Sequence, residues 1–522
     1  MVKSAVLLGV LVLFCSGDVF AQGPCTAQSS KLACVLPQEY GTGGAFQDVL
    51  YNYKSTTGAT DFHPFHYVSD FGTTLQPLTQ AIGRQANLLP LASPSSGVIL
   101  VFDPATKTLV TGTDSLGTIL GERAETTGRH RLFVGFSYQF FNFDRIDGVP
   151  LGNFPAVLTH TDDNTDNSAP GAQVTCSIKT AANLNGCSFV RDRIDTMNTI
   201  SLKVNQYTSY VTFGLTKRID LSMVIPIVNV RMSVYSQDTV VPGTNGFVPV
   251  TPGSPNAALL NQNNLTSGAP YFFHLFKSCP DTSPATGLGG LAPACLQHRF
   301  PDFPYTGSGS QPVNSSSGIG DVVARVKWNA WEGEHAGFAA GLDVRFPTGD
   351  ALNYLGSGSY GIKPFAIFSY RWRVSPHALI GYEWNTDSVL GTDLNTKGKG
   401  SVPNDFVYTV GADTRVTKWL TGNFDIVGQR VFNTESVSIT QQQFLANCGN
   451  CANNPSPGTM TLPSLSNTTG TSYNVTNASM GIKVRPFANL SRLVFTANVL
   501  VRLDDGGLRS KAAPLAAVGY TF

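Results

Sequence analysis

Apolar residues recur at every second position in segment after segment, from about residue 129 to the carboxyl terminus. In the segment RLFVGFSYQFF, Leu132, Val134 and Phe136 share one face of an extended strand, and Gly135 and Ser137 share the other. The same alternation marks residues 218–228, 321–331, 337–346, 361–373, 377–387, 405–416, 419–432, 473–486, 491–503 and 512–522. A period of two predicts β-strands that are apolar on one face only.

The connections between these segments alternate in length. Short connections lie at 216–218, 332–335, 374–376, 417–418 and 488–490, and long ones at 145–196, 237–318, 348–360, 388–404, 433–472 and 504–511. Tight turns on one side and long loops on the other are typical of transmembrane β-barrels. With residues 197–214 included, where weaker alternation predicts a bulge, the count is twelve strands, an even number that brings both ends to one side.

We therefore predict an all-β fold, a transmembrane antiparallel up-and-down barrel formed by residues 128–522. A pair of soluble β-sandwich domains is the alternative, but a sandwich gives no reason for loop lengths to alternate. The final residues, AAVGYTF, favour the barrel. Val518, Tyr520 and Phe522 share one face, which in a barrel contacts lipid with its aromatic rings at the membrane boundary.

The amino terminus has the layout of a secretory signal peptide. Lys3 precedes an apolar run at 5–14, and a small-residue cleavage site ends at Ala21. The run is too short to persist as a membrane-spanning helix. We predict a signal peptide at 1–21 and an integral protein of the bacterial outer membrane, with outer-membrane lipid as a partner.

Residues 22–127 lack the strand pattern of the remainder. Helical spacing occurs at 74–91, and 97–103 with 107–113 resembles a small hairpin. A twelve-strand barrel is wide enough to hold such a segment. We predict that residues 22–127 form a plug-like segment, periplasmic or within the lumen; a separate periplasmic domain is the alternative.

Composition agrees with an exported all-β protein. Only 13% of residues are charged, the net charge is +1, and glycine occurs 52 times. A chain so close to neutral gives no sign of a nucleic-acid partner.

Cysteine usage indicates an oxidising compartment. Apart from Cys15 in the signal, eight cysteines lie in close pairs within loop-like sequence: Cys25 and Cys34, Cys176 and Cys187, Cys279 and Cys295, Cys448 and Cys451. Loop disulfides suit this arrangement, although spacing alone does not fix the pairing. The last pair could instead form a redox or metal-binding CxxC, but a lone CxxC is weak evidence for metal.

Charged residues lie opposite the apolar face of the predicted strands. They are Arg325, Lys327, Asp343, Arg345, Arg371, Arg373, Glu383, Asp413, Arg415, Asp425, Lys483 and Arg485. Arg or Lys facing lipid at mid-membrane costs about 2–4 kcal/mol, so these residues belong in the lumen. They could form a charge network that holds a plug or lines a route, or simply the polar interior that any barrel has.

The connection PTGDALNYLGSGSYG is the best candidate for contacting a solute. Asp350, Asn353 and Tyr354 could contact a ligand or the plug, and Gly356 and Gly358 permit tight backbone. A structured turn with no ligand is the alternative.

Signatures of catalysis are missing from the sequence. Neither a G-x-S-x-G elbow nor an H-E-x-x-H motif occurs, and the eight histidines are scattered. We expect no enzymatic activity, no cofactor and no metal, although a barrel hydrolase can assemble its site from distant strands.

Several segments resemble a family of bacterial outer-membrane barrels, the phenol meta-pathway degradation transporters, which are loosely FadL-like. The resemblance lies in GLTKRIDLSMVIP, PTGD, GSGSYGIKPF, GYEWN and VYTVGADTRVTKWLT. It implies passive uptake of small hydrophobic or aromatic solutes across the outer membrane. The alternative is a non-transporting surface barrel, an adhesin or scaffold whose disulfide-stapled loops bind a partner.

Overall fold

The computed structural model describes residues 31–36, 48–52, 59–62, 78–79, 81–83, 100–103, 108–111, 115–159, 193–241, 272–276, 297–300, 315–391, 398–445, 459–486 and 492–522. Twelve long strands dominate the described part of the chain. They are β1 (Leu132–Ile146), β2 (Arg193–Gly214), β3 (Ile219–Val241), β4 (Val322–Glu332), β5 (Ala336–Phe346), β6 (Gly361–Tyr370), β7 (Val374–Asn385), β8 (Asp405–Thr417), β9 (Leu420–Leu445), β10 (Thr459–Val484), β11 (Leu493–Arg502) and β12 (Ala512–Thr521).

The strands form one closed barrel. Each long strand pairs antiparallel with the next along the chain, and β12 pairs with β1 to close the ring. Short strands at Val149–Pro150, Phe154–Thr159, Gln297–Phe300, Ser315–Ile319 and Leu508–Ser510 add to its rim. The predicted twelve-strand antiparallel barrel is confirmed.

The two rims of the barrel differ. At one rim, called the short-turn end, β2 and β3, β4 and β5, β6 and β7, and β8 and β9 are joined by two to four residues, and both ends of the barrel chain lie there. At the other rim, called the long-loop end, the connections are longer, including 242–321 and 386–404.

Alternation of side chains divides each strand between the two faces of the wall. On β3, Asp220 and Ser222 point inward and are buried, whereas Leu221 and Met223 point outward. Outward positions of β3 stay apolar from Ile219 to Ile227. At about 3.4 Å per residue and the tilt usual in barrels, this band is roughly 20–25 Å tall.

Tryptophan occurs only on the outward surface. The five tryptophans of the chain are each more than half exposed. They are Trp328 (51%), Trp331 (54%), Trp372 (68%), Trp384 (52%) and Trp419 (52%). A water-soluble fold buries most of its tryptophan surface, so this exposure favours contact with an apolar medium.

Two sequence predictions about strand shape are wrong. Residues 433–472 were expected to form one long loop, but β9 and β10 continue as a paired hairpin to Leu445 and from Thr459. Polar Ser, Thr and Asn side chains are frequent on both faces of this extension and hide the alternation, although Val437 and Leu465 are buried. Residues 197–214 contain no bulge, since β2 pairs with β3 in unbroken register from Arg193 to Gly214.

Parts of the amino-terminal segment adopt regular structure. Leu100–Asp103 pairs with Thr108–Thr111, which confirms the predicted hairpin. Residues 78–79 and 81–83 are helical, within the predicted 74–91 helix. Asp48–Asn52 pairs both with Ala59–Phe62 and with Phe272–Phe276 of a long loop. None of the helices in the described ranges is long and apolar enough to span a membrane.

Just before β1, the backbone of residues 128–131 lies directly against Gly214 at the end of β2. This close contact, called the crossing, is possible only with glycine at position 214. The His130 amide donates to the Gly214 carbonyl at 2.7 Å, and the Gly214 amide donates to the Arg131 carbonyl at 2.9 Å. A Cβ on Gly214 would overlap the carbonyl oxygen of Gly128.

Replacing Gly214 tests this crossing. We expect Gly214→Ala to lower the free energy of unfolding by about 1–3 kcal/mol, because backbone atoms must move to admit the methyl group. Gly152→Ala is the matched control, since no atom lies within 4 Å of its added Cβ. Denaturant unfolding of the detergent-solubilised protein measures both, and equal effects would contradict the crossing.

Candidate functional site: the barrel interior

The inner face of the barrel has a charged part and an apolar part. The charged part runs from β3 to β10, with inward Asp220, Arg325, Lys327, Asp343, Arg345, Lys363, His377, Glu383, Asp413, Asp425 and Lys483. The apolar part, called the apolar wall, runs over β11, β12, β1, β2 and β3. Its residues are Phe141, Phe143, Leu202, Val204, Val230, Met232, Leu500, Ala513 and Leu515, each at most 5% exposed.

Strand register places the apolar wall in continuous rows. Phe141 pairs with Val204, which pairs with Val230, and in the next row Leu202 pairs with both Phe143 and Met232. The wall belongs to one hydrophobic cluster that also includes amino-terminal residues such as Leu36 and Ile119.

Residues 115–127, called the inner segment, lie across the charged part near the short-turn end. The Arg123 guanidinium contacts the Asp413 carboxylate at 2.6 Å, and the two side chains are 6% and 0% exposed. Lys327 Nζ donates to the carbonyl of Glu125 at 2.8 Å, and the Thr127 amide donates to the Asp220 carboxylate at 2.9 Å. The inner segment is therefore held by side chains from β3, β4 and β8.

Glycine lets the inner segment approach the wall closely. A Cβ on Gly121 would overlap the His377 ring, which itself contacts the Asp425 carboxylate at 2.7 Å. A Cβ on Gly481 of β10 would meet Ile119 Cδ1 at 2.5 Å. The inner segment and the barrel wall are thus in close contact at both glycines.

An unbroken series of ion pairs, called the charge ladder, begins at the inner segment. Glu122 Oε1 contacts Arg325 Nη1 at 2.5 Å, and Arg325 Nε donates to Asp343 Oδ1 at 2.6 Å. Asp343 Oδ2 then contacts Lys363 Nζ at 3.1 Å. Three neighbouring strands, β4, β5 and β6, therefore contribute one carboxylate and two cations, and the inner segment contributes the second carboxylate, Glu122.

The ladder continues toward the long-loop end. Lys363 Nζ lies 3.7 Å from Glu383 Oε2, and Glu383 Oε1 lies 3.2 Å from Arg345 Nη2. Arg345 Nε lies 4.0 Å from Asp321 Oδ2, just above β4. Buried charges require such partners, because an unpaired ion in a low-dielectric interior costs several kcal/mol.

Asp321 connects the ladder to the loop at 347–360. Its carboxylate accepts hydrogen bonds from the backbone amides of Gly349 (3.1 Å) and Ser357 (2.7 Å). Burial raises the pKa of the Asp321 carboxyl, an effect opposed by Arg345 and by these hydrogen bonds. The loop is consequently fixed to the barrel wall and has a defined shape.

The predicted ligand-contact residues of this loop contact the amino-terminal segment. Lys31 Nζ lies 2.5 Å from Asp350 Oδ2, and the Leu32 amide donates to Asn353 Oδ1 at 3.2 Å. Tyr354 is fully buried with a φ of 58°, and its hydroxyl lies 3.4 Å from the carbonyl oxygen of Thr79. Burial raises the pKa of the Tyr354 phenol.

The two predicted glycines shape the same loop. Gly356 lies against the Asp321 carboxylate, where no Cβ would fit. Gly358 has a φ of +67°, and an added Cβ would meet Ser388 Oγ at 2.7 Å. The amino-terminal segment thus contacts the barrel at both rims, at the loop 347–360 and through the inner segment.

Eight of the predicted lumen charges lie away from the ladder: Lys327, Asp413, Asp425 and Lys483 within the lumen, and Arg371, Arg373, Arg415 and Arg485 near the short-turn end. Arg371 pairs with Glu332 at 2.9 Å near the short-turn end, and Arg373 and Arg415 are exposed there. The strands end at this rim, where the lumen opens to solvent. The alternation pattern therefore marks these residues as inward although they are in contact with solvent. The remaining members of the predicted set that belong to the ladder are Arg325, Asp343, Arg345 and Glu383.

Sequence reasoning missed several members of the interior. Glu122, Arg123 and Glu125 lie in a segment without periodicity, so only their cluster of charges could have marked them. Lys363 lay in a recognised strand, on the inward face, and could have been found by alternation. His377 was counted among scattered histidines.

The cysteines give one structural observation. Cys34 is disulfide-bonded. Cys25, Cys176, Cys187, Cys279, Cys295, Cys448 and Cys451 lie outside the described residues. The pairing of all eight stays a prediction.

A family model matches the middle of the chain. Residues 206–434 match the family described as "Putative MetA-pathway of phenol degradation". This match confirms the resemblance found in the sequence, and it extends from β2 to β9, where every ladder residue except Glu122 lies. No curated protein matches the chain.

Solved structures of bacterial outer-membrane proteins resemble the chain at low sequence identity. An outer membrane channel from Pseudomonas putida F1 is 10% identical, with a TM-score of 0.39 over 76% of this chain and 98% of that one. A Pseudomonas aeruginosa FadL homologue is 9% identical, with a TM-score of 0.26 over 82% and 96% of the two chains. The Pseudomonas putida toluene transporter TodX is 8% identical, with a TM-score of 0.23 over 82% and 96%.

A double-mutant cycle tests how firmly the inner segment is held. Arg123→Gln or Asp413→Asn alone is expected to cost about 3–5 kcal/mol of unfolding free energy, because each leaves a buried charge unpaired. The double variant should cost clearly less than the sum of the two. Glu332→Gln breaks a solvent-exposed pair and should cost at most about 1 kcal/mol. Additive effects of the two buried substitutions would contradict the pairing.

Proposed function

We propose that the protein is an outer-membrane channel for passive uptake of small hydrophobic or aromatic compounds. Its placement in a membrane is supported by the outward apolar band on β3 and by the exposure of every tryptophan. Trp331, Trp372 and Trp419 lie near the short-turn end and Trp384 lies toward the long-loop end, as in the two aromatic girdles of membrane barrels. The predicted signal peptide provides the export step.

The apolar wall is the observation that carries the proposal. The interior of a barrel is ordinarily polar, and polar channels serve hydrophilic solutes. Here the inward faces of β1, β2 and β3 form continuous apolar rows, of which Phe141, Val204 and Val230 are one, and β11 and β12 add Leu500, Ala513 and Leu515 beside them. Contact with such a surface stabilises an uncharged aromatic ring by about 25 cal/mol of free energy per Å² of apolar area buried.

The amino-terminal segment controls the route in this proposal. Residues 22–127 act as a lumenal plug that contacts the loop 347–360 and, through residues 115–127, the charged part of the wall. A solute is captured at the long-loop end and passes along the apolar wall, opposite the charge ladder, when the amino-terminal residues that pack in one cluster with this wall move aside. Because the ladder pairs its charges, a neutral solute passes without breaking a buried ion pair.

The comparisons agree with this solute class. One similar structure is a toluene transporter and another, CymD, is a monoaromatic hydrocarbon channel. No enzymatic step is part of the proposal, and the described residues hold no group of three or more side chains suited to a metal ion.

A charge placed on the outward band tests the membrane placement. Leu342→Arg, near the middle of β5, should destabilise the protein in lipid vesicles, lowering its free energy of unfolding by about 2–4 kcal/mol. Phe346→Arg, at the long-loop end of the same strand, should cost at most about 1 kcal/mol. Equal costs at the two depths would contradict the placement.

Making the apolar wall polar tests the route. The variant Val204→Thr with Val230→Thr keeps side-chain volume but adds hydroxyl groups, so uptake of an uncharged monoaromatic should fall several-fold. Val211→Thr, on the outward face of β2, should leave uptake unchanged. Proteoliposomes or porin-deficient bacteria carrying each variant give the measurement. Absence of aromatic flux in the unmodified protein would overturn the transport proposal in favour of a non-transporting surface barrel.

A further inference from the structure

The short-turn end is strongly basic. Its described turns and strand entries contain one acidic residue, Glu334, and these cations: Arg129, Arg131, Lys217, Arg218, Arg371, Arg373, Lys418, Arg485 and Arg492. These nine cations are called the basic rim. In the described connections of the long-loop end, by contrast, acids outnumber cations, with Asp147, Asp321, Asp350, Asp387, Asp504 and Asp505.

Several members of the basic rim stand close to like charges. The Arg485 guanidinium donates to the backbone carbonyl of Lys418 at 2.8 Å, so one cation of the rim lies against the neighbouring turn that carries another. Burial, together with the nearby Arg492, lowers the pKa of the Arg131 guanidinium. Like charges at this spacing destabilise a fold unless anions neutralise them.

Among the described residues, ion pairing of the rim cations with acidic side chains is confined to one sector. Arg371 pairs with Glu332, beside the β4–β5 turn that also carries Glu334. The rest of the rim follows the other turns, from β6 through β8 and β10 to the entry of β1 and then to β3. Lys217, Arg373 and Lys418 are exposed along this arc.

The cations alternate with outward tryptophans. Trp372 lies between Arg371 and Arg373, Trp419 follows Lys418, and both rings are more than half exposed. Indole rings favour the headgroup level of a bilayer. The cations beside them therefore lie at the depth of the lipid phosphates.

We propose that the basic rim, with Trp331, Trp372 and Trp419, binds the phosphate groups of anionic phospholipids in the leaflet at the short-turn end. This inference rests on the membrane placement proposed above. Charge complementarity identifies the lipid class, since the rim offers many cations and its only described acidic turn residue is Glu334. Lipid phosphates also reach all sectors of the arc at once, which one compact ligand does not.

A lipid-selectivity measurement tests the proposal. Native mass spectrometry of the full chain in detergent compares retention of phosphatidylglycerol with retention of phosphatidylcholine. We expect the unmodified protein to favour phosphatidylglycerol, and each removed cation to weaken its retention about fivefold. The test variant is Lys217→Gln, Arg373→Gln and Lys418→Gln, three exposed side chains whose loss leaves the barrel wall intact.

The control variant removes three cations from the opposite half of the barrel. Lys203, Arg231 and Lys399 are exposed on the side of the long loops. Their replacement by Gln gives the same change in net charge, and it should leave phosphatidylglycerol retention unchanged. Equal loss in both variants, or tighter binding of soluble polyglutamate than of phosphatidylglycerol, would overturn the proposal.

Reconstitution separates this inference from the membrane placement. Insertion into phosphatidylcholine nanodiscs with no preference for phosphatidylglycerol overturns the rim proposal alone. Failure to insert into nanodiscs of either composition overturns the placement itself. Insertion into both, with higher thermal stability in phosphatidylglycerol that the test variant loses, supports the rim.

Discussion

The structure depends on keeping charge away from its outer surface. A barrel whose strands alternate between two faces must place every charged residue of a spanning segment inside, where water is scarce. Buried charges are tolerable only in pairs, so the interior is organised by ion pairing. Glu122, Arg325 and Asp343 begin a series that ends at Asp321, and each member has a partner of opposite sign.

The same constraint explains how the amino-terminal segment is held. Residues 115–127 supply Glu122 to the ladder and Arg123 to Asp413, while Lys327 binds their backbone carbonyls. At the other rim Asp350 meets Lys31. The apolar wall lies on the strands that contribute no ladder residue, so the ion pairs and the surface proposed to bind the solute lie on different sides of one lumen.

Alternation was enough to predict the barrel, because a period of two specifies which residues share a face. It predicted the inward positions of Arg325, Lys327 and Asp343 and the outward Phe136 and Trp328. It failed where polar residues occupy both faces, as in the extension of β9 and β10 beyond the rim. It also selected Arg373 and Arg415, since periodicity does not show where the enclosed lumen ends.

The inner segment could not be found in this way. Residues 115–127 have no regular structure of their own. Their buried charges are stabilised by partners hundreds of residues away in the sequence, such as Asp413. The loop 347–360 was singled out for glycines that permit tight backbone, and the structure shows what Gly356 and Gly358 accommodate. They admit Asp321 and Ser388 and shape a surface on which Lys31 and Leu32 lie.

The exposed tryptophans offer the most direct test of the account. The full chain, reconstituted in vesicles, is excited at its indole rings and quenched either by acrylamide in water or by lipids brominated along the acyl chain. The account predicts strong quenching by bromolipids with bromine near the headgroups and weak quenching by acrylamide. A protein that stays dispersed without detergent, and whose tryptophans acrylamide quenches freely, would contradict it.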